Sequence, residues 1–237
     1  MAARAVSLGG VGAALSAEDV LRVARGAPCV LDVAVMSKLD RDGAAPSAQT
    51  VRHRVHRSPL VAPCAHWNVQ EPVASLCDAV ASLKTAEPSA LLSAEAARAT
   101  VFVKAGELIR AKGPPRPAVL RFLAALLAQN VAPALPASDA DADALAALAD
   151  ALCGKGFALQ PAGSGVVPMA EALAAADLQP PGLTTAERAA MLAGAAPSVA
   201  LVAVAVARTR KLLPAAEAVS ALSCEVRSGL ALCLRRR

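Results

Sequence analysis

Residues 135–156 read LPASDADADALAALADALCGKG and set Asp139, Asp141 and Asp143 at alternate positions ahead of an apolar run. Carboxylates spaced D-x-D-x-D open an EF-hand loop, whose oxygen ligands surround a calcium ion. That loop also needs glycine at its sixth position and a bidentate glutamate at its twelfth. Counted from Asp139, those positions hold Ala144 and Asp150, so calcium is not the expected ligand. Helix entry explains the stretch better: Ser138 is placed as N-cap, Asp141 sits at N3, and Asp139 lies in the first turn, where the helix dipole favours negative charge.

A second group able to do chemistry is His53, His56, Cys64 and His66, imidazole and thiol donors that zinc accepts. Their order, H-x2-H-x7-C-x-H, matches no standard structural zinc pattern, and the neighbouring arginines disfavour a cation. A basic surface loop is expected there, and no resident metal.

The elements that position these residues follow from composition. Of 237 residues 56% are hydrophobic but only 2% aromatic, with no tyrosine, so Ala, Leu and Val must fill the interior. That favours close-packed helices over a sheet. One domain over 1–237 is expected, with a divergent basic loop region at 40–71 and a helical part at 137–237. The sequence LSAEDVLRVARG carries Ser16 as N-cap, Asp19 three residues on, Leu15 facing Val20 as a staple, and Gly26 as the stop. A second helix starts at Ser93 and is ended by Gly113 and Pro114, and a third begins after Pro117. In LTTAERAAMLAG, Thr184 and Glu187 form a capping box.

Charge and cysteine usage set the expected surroundings. Six cysteines, without a CxxC and with no signal-peptide pattern before them, read as small buried hydrophobes in a reducing cytoplasmic or organellar interior rather than in a secreted chain. The net charge of +5 gathers at 52–57, 208–211 and 235–237, without the aromatic platforms that single-strand binding uses, so nucleic acid is left open as a partner but not implied. Ala189 to Ala207 is an uncharged run long enough for a bilayer, but Pro197 interrupts it. A fully buried helix beginning at Pro197 accounts for the run as well, and no membrane span is expected.

Taken in order, LSAEDVLRVARGAPCVLDVAVMSKLD, then Val103 to Pro136 (VKAGELIRAKGPPRPAVLRFLAALLAQNVAPALP), then GKGFALQPAGSGVVPMAEALAAADLQPPGLTTAERAAMLAG, and finally ALSCEVRSG resemble the N-terminal half of the histidine and phenylalanine ammonia-lyase family. The second segment is similar to the family pattern R-x-N-x-L-x-x-G-x-S-G-V-R-P…LLN-x-G-V-x-P-x-x-P without a gap. The resemblance implies a mainly α, ammonia-lyase-like N-terminal domain without the family's long C-terminal helix bundle. It also reassigns Ala189 to Ala207 to a buried helix.

The same resemblance argues against the family's chemistry. Its methylidene-imidazolone electrophile forms from an Ala-Ser-Gly triad, which by count from Gly154 falls on Ser138, Asp139 and Ala140, with Asp141 matching the aspartate that follows. Shifting by one to Ala137-Ser138-Asp139 recovers the serine and still lacks the glycine. The Asn-Gly-Thr-Gln box that supports the electrophile reads Ala193, Gly194, Ala195, Ala196. The tyrosine base has no counterpart, since its region is the basic segment around His53. Gly163, Ser164 and Gly165 offer a serine between glycines, but they fall downstream, where the family has a plain loop, and read as a turn. No catalytic residue and no cofactor are therefore expected.

Loss of electrophile, support and base together leaves no route to ammonia elimination. The expectation is a non-catalytic, structural or interaction subunit with other protein chains as partners. The apolar Val199 to Val206 helix and the Leu-rich C-terminus are the contact surfaces. The alternatives are an ammonia-lyase fragment or partner chain, and a basic RNA-associated subunit.

Overall fold

The computed structural model describes residues 5–9, 15–42, 91–111, 115–138, 141–160 and 165–235, with side chains for all of these except 38–42 and 229–235. Eight helices lie among them: α1 (Ala17–Ala24), α2 (Val33–Asp42), α3 (Ala94–Arg110), α4 (Pro117–Ala128), α5 (Asp141–Ala151), α6 (Met169–Ala175), α7 (Thr185–Leu192) and α8 (Ala196–Arg235).

The centre is α3. Its residues Ala97, Ala99, Val101, Phe102 and Ala105 are fully buried, and α1, α4 and α8 pack around it. A helix apolar on nearly every side belongs inside a core. Alanine on those sides lets neighbours approach closely; at Gly106 a Cβ would stand 2.4 Å from Leu15 Cδ1, so the residue ahead of α1 occupies that space.

Local signals place the ends. Ser16 caps α1, accepting the Asp19 N–H at 3.0 Å, and Gly26 closes it at φ +98°. Ser93 caps α3, accepting from Ala96 at 3.2 Å. Pro117 is itself the first residue of α4, where its missing N–H costs nothing. After α4 the chain turns at Asn130 with φ +57°, which asparagine tolerates better than most residues. The family-like pattern has a glycine at that position.

Two small sheets were not expected from composition. The parallel pair β1 (Val6–Leu8) and β2 (Cys29–Leu31) aligns Val6 with Cys29. The antiparallel set β3 (Ala132–Pro133), β4 (Phe157–Leu159) and β5 (Val166–Pro168) packs against α3, α5 and α6. Strands of two or three residues leave no periodicity to read.

Three further expectations are corrected. Residues 40–42 belong to α2 rather than to a loop, and 43–71 lie outside the described residues. The apolar run begins its helix at Ala196, and that helix is not fully buried: Ala196, Ala200, Val204 and Ala207 face the core while Val199, Leu201, Val202 and Val206 are exposed. It continues unbroken through Pro214 to Arg235. Among the described residues no single helix is long and apolar enough to cross a membrane, although α7 with residues 196–228 passes by length and composition as a pair bent by 41°. Finally, Cys29 is buried as expected, but Cys153 is half-buried and Cys224 exposed.

A buried arginine ties the core together. Arg98 on α3 donates through Nε to the Val23 carbonyl at 3.1 Å and through Nη2 to the Leu127 carbonyl at 3.0 Å. Both acceptors end helices, α1 and α4, whose dipoles favour a cation there. Burial lowers the guanidinium pKa from its ordinary value. The adjacent Cys29 thiol is pushed up by burial to about 11, with the Arg98 charge pulling the other way.

Candidate functional site

The aspartate that follows the degenerate triad and the degenerate support box meet at the start of α8. Helix α7 stops at Leu192, Gly194 turns the chain with φ +93°, and Ala196 begins α8. The positive φ is what favours glycine at 194; a Cβ there would also stand 2.7 Å from Glu107 Oε2, the mobile end of a side chain that would have to shift.

Beneath this turn lies Lys104 of α3, 2% exposed. Its Nζ donates to the Ala193 carbonyl and, at 3.2 Å, to Glu107 Oε2. Ala193, Ala195 and Ala196 contribute methyl groups only, so the polar group presented to the interior here is the Ala193 carbonyl, and Lys104 takes it. An amine bound this way, without access to solvent, is a clamp between α3 and the end of α7.

The second half of the site is Asp141. The described part of α5 begins at Asp141, and the Ser138 hydroxyl donates to Asp143 Oδ2 at 2.6 Å. Asp141 turns instead to α8: its Oδ1 accepts from the Ser198 N–H at 3.1 Å and the Ser198 hydroxyl at 2.8 Å. Ser198 is the third residue of α8, whose first N–H groups have no partner within the helix. The aspartate after the degenerate triad thus caps the helix that follows the degenerate box. Asp139 and Ala140 lie outside the described residues.

A buried carboxylate braces the site from the far side of α7. Arg116 gives Glu187 three hydrogen bonds, from Nε at 2.9 Å, Nη2 at 2.9 Å and the backbone N–H at 3.0 Å. Glu187 also closes the expected capping box with Thr184. Burial pushes this carboxyl's pKa upward, but the Arg116 and Thr184 donors outweigh it and hold the group at about 2. Next to it Arg188 pairs with the buried Asp150 at 2.8 Å, tying α7 to α5.

Other sequence candidates are not brought here. His53, His56, Cys64, His66, Gly163 and Ser164 lie outside the described residues. Gly165 sits at the base of the β4–β5 hairpin, where its carbonyl accepts from Gln160 N–H at 3.1 Å. Among the described residues no three His, Cys, Asp or Glu side chains gather to hold a metal. The sequence reading missed Arg98, Lys104 and Glu107; the available signal was the presence of Arg98 and Lys104 inside a largely apolar stretch, ARATVFVKAG, where a charge requires a partner.

Comparison with known proteins gives a consistent result. A family model described as aromatic amino acid lyase matches residues 15–233. No curated protein sequence matches the chain. Among solved structures, a tyrosine aminomutase mutant is similar with a TM-score of 0.67 at 23% identity, over 92% of this chain and 42% of that one. Histidine ammonia-lyase from Trypanosoma cruzi has 0.65 at 19%, over 88% and 41%. The phenylalanine aminomutase of Pantoea agglomerans has 0.67 at 20%, over 89% and 41%. At these identities the likeness is one of fold, and the chain spans about two fifths of the length of these structures.

Proposed function

Since the chain belongs to the aromatic amino acid lyase family, we propose that it is a non-catalytic member whose fold serves as an interaction subunit. The observation that carries this reading is the junction of α7 and α8. Where the family resemblance calls for side chains that hydrogen-bond a cofactor, this chain has Ala193, Ala195 and Ala196, and Lys104 occupies the remaining carbonyl. An electrophile needs preorganised donors around it to develop charge at low cost. Three methyl groups supply none.

The residues equated with the precursor triad do not fit the group either. Ser138, Asp139 and Ala140 place no glycine nitrogen for ring closure, and the Ser138 hydroxyl is engaged with Asp143. No step through a methylidene-imidazolone is derived for this chain. What its residues do is hold α3, α4, α5, α7 and α8 together: Lys104 by the Ala193 carbonyl, Asp141 by the Ser198 N–H, and Glu187 by Arg116 at the start of α4.

The test is turnover. Purified chain incubated with phenylalanine, tyrosine or histidine is expected to release no ammonia and no α,β-unsaturated acid above the uncatalysed rate. Release that disappears in Ser138→Ala or Ser164→Ala overturns the reading and returns the chain to the lyases.

A further inference from the structure

Helix α8 has an anchored half and a free half, and the boundary between them falls close to a proline. Ala196, Ala200, Val204 and Ala207 are buried against the core, and Arg208 makes the last tie, to Glu95 on α3. From 209 to 228 every residue is exposed. Pro214 lies inside the helix just past that tie. Proline has no N–H, so the Arg210 carbonyl loses the partner it would find one turn on, and the ring crowds the same carbonyl. The ring also disfavours the helical conformation at Leu213.

The charges on either side are arranged as for two helices rather than one. Arg208, Arg210 and Lys211 precede the proline, where the C-terminus of a helix favours cations. Pro214 suits the first position of a helix, whose N–H has no partner in any case, and Glu217 is then fourth, near the end that favours a carboxylate. In a continuous helix neither arrangement meets a helix end.

We propose that α8 opens at residues 212–213, so that 196–211 stay on the core while 214–228 form a second helix that changes direction about this hinge. Packing sets the place. Opening ahead of Arg208 would uncover Val204 and Ala207, whereas opening after it uncovers nothing that is buried. An interior proline disfavours a helical position about a hundredfold relative to alanine, and beyond 208 no burial offsets this. Sharp kinks in helices fall at proline for the same reason. The hinge lets the exposed half take the direction that a partner chain sets without disturbing α1 or α3. It uses none of the residues of the degenerate site and does not depend on the loss of catalysis, so turnover and exchange measurements fail separately.

The experiment is amide hydrogen exchange of the full chain and of Pro214→Ala, resolved by electron-transfer fragmentation and referred to the rates of the unstructured sequence. An open hinge leaves the N–H groups of 215–217 without partners, because they form the first turn of the second helix. In the parent they are expected to exchange faster than those of 200–207 and of 219–226. Pro214→Ala is expected to slow 215–217 about tenfold, less than the full propensity difference because an exposed helix also opens locally, and to leave 200–207 unchanged. Alanine is the better helix former, so the variant does not endanger the fold. Amides at 215–217 as protected in the parent as those at 200–207, a rate uniform from 215 to 226, or exchange indifferent to Pro214→Ala overturns the proposal.

Discussion

Replacing Glu187 by glutamine is expected to cost about 3 kcal/mol and to lower Tm by about 6–12 °C, the range for a chain of this size. The carboxyl is held at about 2 against an ordinary 4.5; its side chain is 7% exposed but that of Arg116 is 49% exposed, so solvent screens the pair from one side and the cost stays below what the full shift would give. Glutamine keeps the volume but turns an NH2 toward donors on Arg116 and Thr184. The sign of the pH effect follows from the depressed value. The stabilisation is fully present above about pH 4.5 and is lost as pH falls through about 2, because the unfolded chain binds the proton first. Thermal melts from pH 6 to pH 2 check this: the parent should lose stability in that window more steeply than Glu187→Gln. A variant within about 1 °C of the parent at pH 6 contradicts the pairing.

Arg98→Met is expected to have an effect of similar size, about 3 kcal/mol, by a different route. It removes two charged hydrogen bonds to the ends of α1 and α4, each worth about 1.5–3 kcal/mol, and recovers part of that by relieving burial of the cation. Both carbonyls keep backbone donors, Gly26 N–H at Val23 and Asn130 N–H at Leu127, which limits the loss. Urea unfolding should show a lower midpoint with an unchanged slope. A midpoint equal to that of the parent would mean that the cation contributes nothing net at this position.

What was legible in the sequence is what is decided locally. Ser16, Ser93 and the Thr184–Glu187 box each cap a helix with atoms three residues away, so composition and spacing suffice to find them. Ser138 shows where that logic stops. Its surroundings satisfy the local rules for a cap, but no local rule shows that Asp141, three residues on, accepts from Ser198, 57 positions later. The same limit hid the clamp at the site: Lys104 meets Ala193 across 89 positions, and nothing near either residue announces it. The family, by contrast, was legible because several short segments fall in the family's order, and the match over 15–233 confirms that ordering.

The most direct test of the central claim is the intact mass of the purified chain, measured after denaturation. A non-catalytic member whose precursor residues are Ser138, Asp139 and Ala140 is predicted to weigh its full sequence mass. A chain lighter by two water molecules would mean that an electrophile has closed, and tandem fragmentation placing that loss at 138–140 or at 163–165 would contradict the account.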